Sequence, residues 1–205
     1  MKSTIFHGLV LGAAMLALPG CNKAANTTQK SEASDNVAAA ADSSGASSSD
    51  PVASAESAAP ASIARAASIM TIGADGKATI LRQGTNGWTC MPDSPATPGP
   101  DPMCADSNAM KWADAWIHHK PPPEGAVGVM YMLEGGTDAS NSDPYATKPT
   151  SENDWIKTGP HVMVVGSKEV LAGYPSGAKP DTSAPYVMWS GTPYAHLMVP
   201  IDKGS

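Results

Sequence analysis

Phenylalanine is all but missing from this 205-residue chain, whose one copy is Phe6 near the N-terminus. A folded core must therefore draw its bulk from aliphatic residues, five tryptophans, five tyrosines and eleven methionines. Methionine fills irregular space, and each Trp or Tyr brings a polar atom that needs a partner when buried. No apolar run reaches the roughly 20 residues of a membrane-spanning helix. An excess of positive charge is also lacking: 13 Lys and Arg face 19 Asp and Glu, a net charge of −6 with both signs scattered. That excludes the basic patch of a nucleic-acid binder and the polybasic patch of a lipid-surface binder. Catalytic and cofactor signatures are missing too, with no Gly-x-Ser-x-Gly elbow, Walker loop, dinucleotide glycine fingerprint or His-Glu-x-x-His. The cofactor is therefore unknown from sequence.

What is present begins with an address. Lys2 supplies a positive start, and Leu9 to Leu18 is an apolar stretch of signal-peptide length. Leu18-Pro19-Gly20-Cys21 closes it. The segment resembles the signal of bacterial lipoproteins, from whose pattern Pro19 departs. The resemblance implies that residues 1–20 are removed and that Cys21 carries a palmitate-type lipid, the membrane being a partner through that lipid. Asn22 resembles the outer-membrane sorting pattern, so the expected location is the cell envelope, outer membrane, facing the periplasm. The alternative is an ordinary signal cleaved near Gly20 and a secreted or periplasmic soluble protein. Residues 21–61 open on Cys21 and continue with mostly Ala, Ser, Asp, Asn and Thr, Val37 and Val52 being the large apolar exceptions. Such a stretch cannot offset its ordering entropy and reads as a disordered tether reaching ~30–40 Å. An Ala-driven helix is the competing reading, opposed by the many Ser, Asp, Asn and Gly residues.

Cys90 and Cys104 are the remaining thiols, and in an oxidising compartment they are expected to form a disulfide contributing about 3 kcal/mol. Pro92, Pro95, Pro98, Pro100 and Pro102 lie between them, so the bridge is expected to pin a stiff surface loop. A zinc site on the two thiolates is the alternative, weakened by the absence of a second Cys or His pair nearby.

Residues 62–205 read as an α+β domain: a mainly antiparallel sheet with one principal helix, disulfide-stabilised and preceded by the tether. Ser68–Ile72 and Ala78–Arg82 flank an Asp75-Gly76 turn, a strong hairpin signal, and Trp88-Thr89-Cys90 follows an Asn86-Gly87 turn. Asp106 or Ser107 can cap a helix to about His119, with Met110, Ala113, Trp116 and Ile117 as its buried face. Pro121-Pro122-Pro123 ends it, and His118 and His119 read as last-turn residues favoured by the helix dipole. Four further strands are expected at 126–133, 162–165, 186–189 and 196–201, with a short helix from Ser167 to Gly173. Gly135 to Asp154 reads as a long polar loop whose Asp138, Asn141 and Asp143 offer oxygens, at a spacing unlike a calcium-binding EF-hand loop.

The strings Gly84-Thr85-Asn86-Gly87-Trp88-Thr89-Cys90-Met91-Pro92, Gly159-Pro160-His161 and Pro193-Tyr194-Ala195-His196 are similar to those of a group of exported bacterial proteins. That resemblance implies export and a shared domain and carries no activity.

Three functions compete. Strand alternation puts His161 with Met163 and His196 with Met198, near Met130, Met132 and Met188, a soft set suited to Cu(I) in a periplasmic copper-binding protein. A hydrolase-like enzyme would use His161 or His196 with Asp143, Asp154 or Ser190. The preferred reading is a non-catalytic domain that binds a small molecule or a protein, with Tyr145, Trp155 and Tyr174 as the exposed ring candidates.

Overall fold

A computed structural model describes residues 50–202. The signal segment, Cys21 and the first part of the tether lie outside the described residues. The rest is α+β, and the sequence places its main elements closely.

One eight-stranded sheet organises the domain, in the order β2-β1-β3-β4-β5-β8-β10-β9, where β1 is Ser68–Ile72, β2 Ala78–Arg82, β3 Trp88–Met91, β4 Met103–Asp106, β5 Gly128–Met132, β8 His161–Val165, β9 Tyr186–Met188 and β10 His196–Pro200. Every adjacent pair is antiparallel except β1 with β3. Two short strands, β6 (Ala139–Ser140) and β7 (Trp155–Ile156), pair separately. Gly76 takes φ +76°, the conformation that the Asp75-Gly76 turn demands. The hairpin's outer strand, β2, is exposed along most of its length.

The two faces of the sheet carry different cores. The row Ile69, Cys90, Cys104 and Tyr131 is in register across four strands and faces one way. On it pack α1 (Pro51–Ser57) and α2 (Ala61–Ala64) through buried Ala55, Ala58, Ala59 and Ala64. This moves the start of the domain from 62 to about 50. Asp50 accepts a hydrogen bond from the Val52 amide at 2.9 Å, and Pro51 sits where a helix tolerates proline. Alanine is a poor hydrophobe counted residue by residue, but it lets a helix backbone lie close to a sheet. Arg82 fixes the arrangement from β2. Its guanidinium meets Glu56 of α1 at 2.5 Å and donates to the Ala64 and Ala67 carbonyls at 2.6 and 3.0 Å.

The Cys90–Cys104 disulfide joins directly opposed positions of β3 and β4, with Cα atoms 3.9 Å apart. Both cysteines are fully buried beneath α1 and α2, so the bridge belongs to this core and the proline-rich loop emerges from it. The zinc alternative for these thiols is thereby removed.

Across the other face lies α3 (Ser107–Ile117). Asp106 caps it, accepting from the Asn108 and Ala109 amides through one oxygen and from the Val129 amide of β5 through the other. A Cβ on Gly128 would stand 2.3 Å from the Ala109 nitrogen, so helix and strand approach closely only because residue 128 has no side chain. The buried face of α3 is Ala109, Trp112, Ala113 and Ala115. Ile117, expected inside, is 55% exposed, and Met110 and Trp116 are half-buried. The helix turns on its small residues because Gly128 admits Ala109 closest to the sheet.

Two similar quartets finish this helix. In Asp143-Pro144-Tyr145-Ala146 and Thr192-Pro193-Tyr194-Ala195 the first side chain accepts from the tyrosine amide. The Tyr145 and Tyr194 hydroxyls donate to the Trp116 and Lys120 carbonyls at 3.0 and 3.1 Å, one in the last turn, where the His119 amide also reaches the carbonyl, and one just beyond the helix. The helix ends at Ile117, so His118 and His119 follow its last turn instead of forming it: His118 is the C-cap and lies against Asp114, and His119, at φ +54°, stacks on Tyr145. The expected helix after Ser167 is a single 3₁₀ turn, Glu169–Leu171.

Candidate functional site

The face under α3 is built by strand alternation from β5, β8, β10 and β9. Register places Met132 opposite His161 and His161 opposite Pro200. One step along, Met130, Met163, Met198 and Tyr186 form a row across all four strands. One step further, His196 stands opposite Met188. His161, Met163, His196 and Met198 therefore do share a face. His161 and His196 lie four residues apart along the sheet, roughly 13 Å between their backbones at strand spacing, yet His161 is near enough to help hold the His196 pKa down.

At one end of this face His161 is buried, and its Nδ1–H donates to the Gly159 carbonyl at 2.6 Å. That leaves Nε2 with its lone pair. Burial lowers the imidazole pKa, outweighing the carbonyl's opposite effect. Gly136 closes in on the ring, since a Cβ there would meet His161 Cε1 at 3.2 Å and Met132 Cε at 3.5 Å. A cavity of about 430 Å³ opens beside it, lined by Lys157, Thr158, His161, Tyr186, Met198 and Pro200 among others. The Tyr186 hydroxyl is buried and has no hydrogen-bond partner, and burial pushes its pKa up to about 12.

At the other end His196 is 1% exposed. Its Nδ1–H donates to the Tyr194 carbonyl at 3.0 Å, and Nε2 has no partner. Burial pushes this imidazole down to about 4, so it is neutral at ordinary pH. Trp112 and Trp189 wall it in, their ring centroids 5.3 and 4.9 Å from the imidazole, both edge to face. Trp189 takes φ +55°, rare for a bulky residue. Its amide donates to the Asn141 carbonyl and its indole to the Ser140 carbonyl, both at 2.9 Å, and these bonds hold the conformation.

Those contacts correct the reading of 135–154 as a plain polar loop. It contains β6, buries Ser140 and Asn141, and anchors the tryptophan wall. Of the oxygens weighed for calcium, those of Asp138 and Asp143 are used within the fold, whereas Asn141 Oδ1 is buried without a partner. Asp138 accepts from the Thr158 amide, Asp143 from the Tyr145 amide, and the Asn141 side-chain amide donates to the Gly177 and Ala178 carbonyls. Among the described residues no group of three or more His, Cys, Asp or Glu is placed to hold a metal.

Neither imidazole has a carboxylate partner; both Nδ1 atoms are committed to main-chain carbonyls. The ring candidates Tyr145, Trp155 and Tyr174 form no ring contact with one another: Tyr145 packs on His119 and Tyr194 at the end of α3, Trp155 is half-buried in β7, and Tyr174 follows the 3₁₀ turn. Sequence reasoning missed Tyr186 as a site residue, although its two-residue spacing from Met188 put it on the same face. No protein-family profile, curated protein or solved structure matches this chain.

Proposed function

We propose that this is a lipid-anchored envelope protein, held through Cys21 at the periplasmic side of the outer membrane, whose domain binds a small neutral polar ligand without transforming it. The cavity lined by Tyr186, whose hydroxyl is buried without a hydrogen-bond partner, carries this reading. A buried hydroxyl lacking a hydrogen bond costs about 1–3 kcal/mol, a cost that a ligand oxygen accepting from it would relieve. His161 offers the complement, a neutral Nε2 that accepts. A ligand with a donor and an acceptor close together, such as an amide or a sugar hydroxyl pair, meets both. Lys157 and Asp202, of opposite sign, both line the cavity and favour no net charge on the ligand. The hydrolase reading lacks the carboxylate that would orient and charge-stabilise a histidine base.

Titration with N-methylacetamide and with a hexose, followed through the His161 ring, Tyr186 ring and Met198 methyl resonances, tests the binding claim. Saturable shifts at all three, weakened about tenfold by Tyr186→Phe, are expected. Shifts absent with both probes, or unchanged by the substitution, would refute it. The anchor is tested apart: Cys21→Ser should move the protein from the membrane to the soluble fraction.

A further inference from the structure

The opposite end of the same face carries a second inference, which shares Met198 with the cavity but does not rest on the ligand proposed there. We infer that His196, Met188 and Met198 form a soft-metal site that takes one cuprous ion. The three residues occupy two adjacent strands, with Met188 directly opposite His196 and Met198 the next residue on the same face of β10. Directly opposed side chains start about 5 Å apart and same-face neighbours about 7 Å apart, within reach of a thioether on three rotatable bonds.

The imidazole supplies what the set requires. With Nδ1–H bound to the Tyr194 carbonyl, the tautomer is fixed and Nε2 presents a lone pair into the core, where no protein donor meets it. A carbonyl behind a ligating histidine is the usual orienting partner of a metal-bound imidazole. Met163 and Met130 continue the thioether row behind Met198, and Trp112 and Trp189 close the site from the helix side. Their π faces favour a cation in a water-poor setting.

The chemistry of the donors selects the ion. Two thioethers and a neutral imidazole bring no negative charge and no hard oxygen, so calcium, magnesium and zinc find little here, while a soft monovalent d¹⁰ ion fits. The cysteines cannot compete because they are bridged. His161 starts roughly 13 Å away along the strands; it is near enough to act on His196 electrostatically, but its backbone position is not adjacent to the Met188–His196 pair, so the proposed ligand set is smaller than the four-residue group the sequence suggests.

The test uses the full chain with Cys21→Ser, so that no free thiol competes, and the disulfide intact. Anaerobic competition for Cu(I) against a chromophoric chelator should show one ion per chain and quench tryptophan emission. His196→Phe and Met188→Leu should each weaken binding at least tenfold, whereas His161→Gln should change it less than twofold. In case a variant fails to fold, Ag(I) added to the ¹⁵N-histidine-labelled protein gives an independent reading: the His196 Nε2 resonance should move and that of His161 stay. Absence of stoichiometric binding, or binding in which His196 Nε2 does not respond, overturns the site.

Discussion

The two faces of the sheet differ in how completely they are satisfied. Under α1 and α2 the core is alanine, Ile69 and a disulfide, and the polar groups nearby find partners, with Arg82 bonded to Glu56 and to two carbonyls. Under α3 the core is Met, Trp, Tyr and His, and among the described residues the buried side-chain atoms without partners, the Tyr186 hydroxyl, His196 Nε2 and Asn141 Oδ1, belong to this side of the domain or to the loop that walls it. Native interiors leave few such atoms orphaned, and each one calls for a reason. The contrast separates a face whose polar groups are satisfied within the fold from one that leaves polar atoms unpartnered, which the proposed function assigns to binding.

The largest expected effect breaks the second face. Gly128→Val forces a side chain into the Ala109 backbone of α3, and chemical denaturation should show a loss of more than about 3 kcal/mol, or no folded protein. Removing the bridge with Cys90→Ala and Cys104→Ala attacks the first face. It should cost about 3 kcal/mol by urea titration and leave the His196 and Tyr186 environments intact once the protein is folded. A pH series sharpens the comparison. His196 has its pKa lowered to about 4 from 6.5, so the unfolded chain binds the extra proton first. Stability is full above pH 6.5 and falls by about 3 kcal/mol as the pH drops toward 4. His161 acts in the same direction. His196→Phe should remove most of that slope while leaving urea titrations at pH 7.5 less affected.

Much of this organisation was legible in the chain. The Asp75-Gly76 turn gives β1 and β2 their observed bounds, and Asp106 before an apolar period gives the start of α3. Two-residue alternation puts the His and Met residues on one face. What could not be read depends on distance between segments. The helices at 51–64 were legible only as the Ala-driven alternative to the tether, because alanine scores as spacer and their stability comes from fitting against the cystine and Arg82 rather than from local pattern. Ile117 looked buried on helical period, but the close approach at Gly128 rotates the helix onto its alanines. Tyr186 gave no local sign of an unsatisfied hydroxyl, since satisfaction is a property of everything around it.

The most direct test of the central claim, that the α3 face withholds polar groups from the fold for use in binding, is the unfolding free energy of Tyr186→Phe in the ligand-free protein. Deleting a hydroxyl that bonds to nothing leaves stability unchanged or raises it by about 1 kcal/mol. A loss of more than about 1 kcal/mol would mean that the hydroxyl already has a structural partner, and the contrast between the faces would fail.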